Sequence, residues 1–437
     1  MRISIKRWSG ADWTLFTLAF FAISIVLVYT FNAPRAILYL GDIINIFVLL
    51  NALSFRRRKG IYASKNEMLI VLFLLVSICS SVINLENIGL IIWGIRNNTR
   101  MFIVYINCAT YLTIKDYYKV FAIIEKLFWI SLPLCLIERF MVTYPTGTIV
   151  GDMIGGVFWN YSGCNMPLNL ILCVTVTVVT IGYFKGEKNF IHFILCVCAA
   201  LFMSALAELK VFIPELFIIF VAIVFTLKVD FKVVIKILSC VILVSIVLSF
   251  FITIFITLND NGQSYADNFT IQGLLEYASR DSGYDGVGDL NRITGISRVV
   301  DEIFNNNFRL VLMGVGIGNA EFTNFFVSEF YKSFGNLHYQ YFHHIWLFIE
   351  VGILGVSIFL FFIIKTFFNA KRSFMKDKDA SLVKVIAIMS VFFFVYNTTL
   401  RGETTGPLIY MILAMPEVVK RKEHYYSEKN TKGEIPE

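Results

Sequence analysis

Four stretches of this chain run for about 18 residues or more without a single charge: Trp13–Phe31, Met68–Leu85, Met166–Phe184 and Ile237–Leu258. As a helix, each is long enough to cross about 30 Å of hydrocarbon. Inside lipid the backbone must satisfy its own hydrogen bonds, and a helix does this within one segment. Of the 437 residues, 57% are hydrophobic and 16% charged. A soluble domain is nearer half apolar and a quarter charged. The fold class expected is therefore an all-α polytopic membrane protein. No small-residue cleavage site follows the first apolar run and further runs come after it, so the start does not read as a removable signal.

Hydropathy divides the chain into about twelve spans, at 13–31, 36–54, 67–85, 99–114, 120–141, 166–184, 190–207, 211–227, 234–258, 341–364, 385–400 and 406–419. The organisation expected is a membrane domain of about nine spans over 1–258, a large extracytoplasmic loop with short helices over 259–340, about three further spans over 341–419, and a disordered cytoplasmic tail over 420–437. Placing Arg2, Lys6 and Arg7 in the cytoplasm also puts there Arg56–Lys59, Lys115, Lys119, Lys185, Lys188, Lys228, Lys232, Lys236, the bases between Lys365 and Lys384, and those of the tail. Most of the 38 basic residues then lie on one side, as the positive-inside rule requires, with both termini cytoplasmic. The remaining cations include Arg35, Arg96, Arg100, Lys126, Arg139, Lys210, Arg292, Arg298, Arg309 and Arg401. Topology does not explain them, and charges within or beside spans are functional candidates by default. Internal ion pairing is the alternative, and Lys126 with Glu125 and Arg139 with Glu138 fit it.

Seven of the eight cysteines sit in apolar segments, Cys164 being the exception, which is the usage of a small hydrophobe and not of a disulfide framework. No Cys/His spacing matches a zinc site, and no metal or other cofactor is expected.

The long loop interrupts the apolar chain. Between 259 and 338 acids outnumber bases two to one, so it is no surface for collecting polyanions, and no nucleic acid partner is expected. Ile293, Ile296, Val299, Val300, Ile303 and Phe304 share one helix face, with Asn291 placed to cap it. Arg298 can pair with Asp301 and Glu302 along that helix, or serve a ligand. Arg292 stands in the first turn, where the helix dipole disfavours a cation, so another reason for its presence is expected, with Asp289 as the alternative that could supply it. Gly314-Val-Gly-Ile-Gly-Asn319 precedes an expected helix at 320–332. Such glycines let backbone N–H groups of Gly316 and Gly318 approach an anion, or simply make a tight turn. Phe322, Phe325, Phe326 and Phe330 form an aromatic stripe suited to packing or to stacking on a sugar. His338, His343 and His344 then gather at the mouth of a span, with Glu350 deeper in it, a set able to take a proton from a hydroxyl.

The Asn291-Arg-Ile-Thr294 segment, the Gly-x-Gly-x-Gly-Asn turn and the Glu350-x-Gly-x-x-Gly355 span after a histidine cluster resemble the O-antigen polymerase and O-antigen ligase family of bacterial surface-polysaccharide enzymes. Weaker echoes lie at Asp152–Phe158 and Ala207-Glu-Leu-Lys210. Where the family commonly carries a His-Asn pair, this chain has Tyr341, which leaves His338, His343 and His344 as alternative bases. The resemblance implies a glycosyltransferase of the bacterial cytoplasmic (inner) membrane. It would transfer an undecaprenyl-diphosphate-linked oligosaccharide donor to a sugar hydroxyl of an acceptor at the outer face, with inversion and no metal. Membrane lipid and a chain-length regulator protein are the further partners of such enzymes. It casts Arg292, Lys210, Arg298 and Arg309, with the glycine turn, as binders of the diphosphate, and the histidines with Glu350 as the proton-handling group. Polymerase is favoured over ligase because the histidine region departs from the ligase-like pattern. The reading from a different class is a lipid-linked-sugar transporter using Asp42 and Glu215 within its spans.

Overall fold

A computed structural model describes residues 8–227, 289–322, 327–371 and 373–431, with isolated helical positions between 232 and 246. Among these residues the fold is all-helical, and the only strand-like pairing is a bridge between Phe322 and Val327. The long helices are α1 (Gly10–Tyr29), α2 (Ala36–Lys59), α3 (Lys65–Ile83), α4 (Ile88–Tyr111), α5 (Ile114–Phe140), α6 (Asn165–Phe184), α7 (Phe190–Leu206) and α8 (Phe212–Thr226). Short α9 (Gly295–Arg298), α10 (Phe308–Met313) and α11 (Glu329–Phe334) belong to the predicted loop, and α12 (His343–Asn369), α13 (Asp377–Tyr396) and α14 (Gly406–Thr431) complete the bundle.

Seven of the described helices, α1, α2, α3, α5, α6, α12 and α13, are long and apolar enough to cross a membrane. The expected spans at 99–114, 190–207, 211–227 and 406–419 fall on α4, α7, α8 and α14, which are shorter or more polar; 234–258 lies largely outside the described residues, as do 259–288 of the loop. The tail expected to be disordered from Lys420 continues α14 to Thr431. Helix α6 is the core element: 83% of its apolar window is buried, against 28% for α2 and α5, which present apolar residues such as Phe47 and Ile130 outward. The bundle around the site is made by α14 on α4, by α12 between α3 and α13, and by α10 crossing α12.

Helix α12 is broken. Gly352 sits at φ 61°, ψ −168°, so the helical ladder fails there. The carbonyls of Ile349 and Glu350 lose their partners one turn ahead, and buried carbonyls cannot stay unpaired. They accept instead from the turn after α10: the Val315 N–H bonds the Ile349 carbonyl at 2.8 Å and the Gly316 N–H that of Glu350 at 2.9 Å. On its other side the same turn docks on the end of α3, where Ser80 Oγ donates to the Met313 carbonyl (2.5 Å), Asn84 Nδ2 to that of Gly314 (3.1 Å), and the Ile317 N–H to Ser81 Oγ (2.8 Å). A Cβ at Gly314 would lie 2.5 Å from the Glu350 backbone, and one at Gly352 would lie 2.4 Å from that of Leu312.

Two local pairings differ from expectation. Glu125 bonds Lys188 and His192, each at 2.8 Å, and not Lys126. Arg139 pairs with Glu208 at 2.9 Å, while the buried Glu138 accepts backbone N–H groups of Gly155, Gly156 and Asn160 at 3.1, 2.7 and 2.9 Å. Both times a neighbour in space outcompetes the neighbour in sequence, and Glu138 organises the Asp152–Phe158 segment as an internal cap. The described cysteines are all free.

The break predicts a sharp asymmetry between glycines. Gly352→Ala forces a residue with a side chain into a glycine-only backbone region, costing about 1–3 kcal/mol, and adds a backbone collision. Gly186 also has positive φ, but a Cβ there meets nothing within 4 Å. Thermal unfolding in detergent is expected to show Gly352→Ala losing much more stability than Gly186→Ala, whose cost stays near about 1–2 kcal/mol.

Candidate functional site

The turn over 314–321 sits at the centre of a buried polar cluster. On α4, the run Arg96-Asn-Asn-Thr-Arg100 presents Asn97 and Asn98 to it. Asn98 Nδ2 donates to Glu350 Oε2 at 3.0 Å, and the Gly318 N–H donates to Glu350 Oε1 at 3.1 Å. Asn97 Nδ2 donates to Glu321 Oε2, and Arg401 closes an ion pair on Glu321 Oε1. Arg100 pairs with Glu403 at 2.7 Å and donates to the Arg401 carbonyl at 2.7 Å; Arg96 pairs with Asp42. Glu350, Glu321 and Arg401 are almost wholly buried, and Arg401 lies 3.7 Å over the Trp346 ring. Interlocking of this kind is what makes several charges tolerable in an apolar bundle.

This arrangement reassigns the glycine turn and Glu350. The N–H groups of Val315, Gly316, Ile317 and Gly318 donate to Ile349, Glu350, Ser81 and Glu350 respectively. Gly316 and Gly318 therefore do not present their amides to a diphosphate: they are glycines because backbone and carboxylate approach too closely for a Cβ, Glu86 lying 2.4 Å from that position at Gly316 and the Leu90 carbonyl 2.1 Å at Gly318. The helix expected at 320–332 begins only at Glu329, since Ala320 and Glu321 stay in the buried turn. Glu350 is bonded by Asn98 and Gly318, and among the described residues no histidine hydrogen-bonds it. It anchors the turn and does not orient a histidine.

The three histidines separate by environment. His343 is 2% exposed and packs edge-on against Phe359 and Phe394. His344 is 5% exposed and its Nε2 meets the Arg292 carbonyl at 3.1 Å. His338 keeps 33% of its side chain exposed, and its Nδ1 lies 3.0 Å from Oδ1 of the buried Asp289. Its ring stacks on Tyr341, centroids 5.4 Å apart, at the position where a histidine was expected.

The candidate cations also separate. The Arg292 Nε donates to the carbonyl of Tyr396, the last residue of α13, at 3.0 Å, and its guanidinium lies over the rings of Tyr396 (4.3 Å) and Phe342 (5.0 Å). A helix C-terminus, where positive charge is favoured, thus gives one reason for a cation at this position. Asn291 Oδ1 caps the first turn as expected, accepting from Ile293 and Thr294 at 2.9 and 2.7 Å. Arg298 forms the predicted pair with Glu302, through two bonds of 2.9 Å, and its Nη1 donates to the Asp289 carbonyl at 2.8 Å. Arg309 is exposed on α10. Lys210 lies in the turn after α7, where its N–H donates to the Glu208 carbonyl at 2.9 Å. Of the aromatic stripe, Phe322 packs on Tyr331 and Phe330 on Phe334 and Tyr339, while Phe325 and Phe326 lie outside the described residues. Asp289, Asn98 and Glu321 were missed as site residues. Arg100 and Arg401 were visible as cations without a topological reason. No family model and no curated protein matches the chain.

Two measurements follow from the cluster. Arg401→Met leaves Glu321 buried without its cation, at an expected cost of about 3–5 kcal/mol, and adding Glu321→Gln should recover part of that loss in thermal unfolding. Burial pushes the Glu86 carboxyl, in the α3–α4 turn, from the usual 4.5 up to about 8, against the Ser81 and Asn319 side chains, which favour its charged form. The folded chain then holds a proton that the unfolded chain has released, so stability falls as pH rises from about 4.5 to about 8. Glu86→Gln is expected to flatten the pH dependence of the unfolding midpoint across that window.

Proposed function

We propose that the chain is an oligosaccharide repeat-unit polymerase: a glycosyltransferase of a bacterial cytoplasmic membrane, with twelve spans and both termini cytoplasmic, working at the outer face. The observation that carries this reading is the environment of His338. It is the one histidine of the three that combines partial exposure with a carboxylate partner, and it precedes Tyr339, whose hydroxyl donates to the Ala320 carbonyl of the buried turn. A histidine so placed suits general-base work.

In this mechanism His338 accepts the proton of an acceptor sugar hydroxyl. The hydroxyl oxygen attacks the anomeric carbon of the undecaprenyl-diphosphate-linked donor from the face opposite the diphosphate. The bond from that carbon to the diphosphate oxygen breaks, the configuration inverts, and undecaprenyl diphosphate leaves with the electron pair. Arg292, half-buried near the same mouth, is the cation proposed to offset the charge of the leaving diphosphate, worth about 3–4 kcal/mol for a well-placed group. The apolar outer faces of the bundle accommodate the polyprenyl chain.

Purified protein in liposomes with undecaprenyl-diphosphate-linked repeat units is expected to yield a ladder of longer saccharides. Product only on adding lipid A–core would mark a ligase, and saccharide crossing the bilayer with no new glycosidic bond would mark a transporter. His338→Ala should lower transfer by about 10²-fold or more while folding normally. His343→Ala and His344→Ala should lower the unfolding midpoint instead, with the folded fraction still active. Loss of transfer in stable His343 or His344 variants, with His338→Ala active, would move the base.

A further inference from the structure

We infer that Asp289 is a positioning residue that fixes the His338 ring and its tautomer. This deepens the glycosyl-transfer reading and rests on His338 as its base. Asp289 stands 49 positions before His338 in the chain, and its sequence context points to Arg292 and not to the histidine. Yet its side chain is only 5% exposed, although it belongs to a loop rich in polar residues. A carboxylate is taken out of water only where bonds repay the cost.

Three contacts bring the pair together. The Leu290 N–H donates to the Leu337 carbonyl at 3.1 Å, so the residue after Asp289 is tied to the residue before His338. The Arg298 Nη1 donates to the Asp289 carbonyl at 2.8 Å, and Arg298 is itself held by Glu302. Asp289 Oδ1 and His338 Nδ1 then meet at 3.0 Å. The histidine backbone is held at φ 52°, ψ 29°, the left-handed region that non-glycine residues enter at a cost of about 1–2 kcal/mol. That conformation aims the ring at Asp289 while stacking it on Tyr341.

The chemical consequence follows from the acceptor-only character of an ionised carboxylate. Opposite Asp289 Oδ1 the neutral imidazole carries its proton on Nδ1, which leaves Nε2 as the basic nitrogen. As the ring takes a proton from an acceptor hydroxyl at Nε2, its Nδ1–H stays on the Asp289 carboxylate. Asp289 touches neither sugar in this scheme: it acts through His338.

The test uses the full-length protein in liposomes or detergent, with undecaprenyl-diphosphate-linked repeat units as the substrate. Asp289→Asn is expected to lower kcat by about 10²-fold with KM nearly unchanged, and Asp289→Glu to restore part of the loss. Nitrogen NMR of labelled histidine needs no substrate: the wild-type His338 resonances should report a proton on Nδ1, and Asp289→Asn should shift the population toward Nε2–H. If His338→Gln is inactive while Asp289→Asn transfers at the wild-type rate with an unchanged tautomer, the positioning role is overturned and the glycosyl-transfer reading survives. If His338→Gln is fully active, the base assignment falls and the role of Asp289 falls with it.

Discussion

The structure depends on two carbonyl groups. Breaking α12 at Gly352 frees the carbonyls of Ile349 and Glu350 inside a packed bundle, where no water can take their bonds. An unpaired buried carbonyl costs about 1–3 kcal/mol, so the break is tolerable because Val315 and Gly316 supply N–H groups at 2.8 and 2.9 Å, with the Ser80 hydroxyl donating to Glu350 more weakly at 3.5 Å. The loop is therefore not an appendage of the bundle. Its central turn completes the hydrogen bonding of a core helix, and the glycines at 314, 316 and 318 exist so that two backbones can approach this closely.

The charges follow from that contact. The seated turn carries the Gly318 N–H and Glu321 into the interior, where Asn98, Asn97 and Arg401 meet the buried carboxylates. Arg100 links the Arg401 backbone to Glu403, so the connection between α13 and α14 is bound into the same network. The same turn is tied to the residue after His338, since the Tyr339 hydroxyl donates to the Ala320 carbonyl at 2.8 Å, and fixed supports of this kind suit a group that must hold one orientation while substrates come and go.

Much of the fold was legible because apolar length is a strong signal. Eleven of the expected spans land on helices, and Asn291 as a cap and Arg298 with Glu302 as a pair are local relations that sequence spacing can reveal. The turn was visible as Gly-x-Gly-x-Gly, but its purpose was not: whether glycines admit an anion or another backbone depends on what lies across from them, and here that is α12 and α4. For the same reason Glu350 read as a partner of the nearby histidines, although its partners, Asn98 and Gly318, come from other elements. Arg292 looked misplaced on its own helix because the helix end it serves belongs to α13. Asp289 read only as a possible companion of Arg292, since its partner His338 is far away in sequence.

The central claim is that an outer-face hydroxyl displaces a lipid diphosphate. The most direct measurement is the stoichiometry of undecaprenyl diphosphate released to glycosidic bonds formed by the purified protein in sealed liposomes. The account predicts one lipid diphosphate released for each bond made, with inverted configuration at the new linkage. Movement of lipid-linked saccharide across the bilayer with no diphosphate released and no bond formed would contradict it.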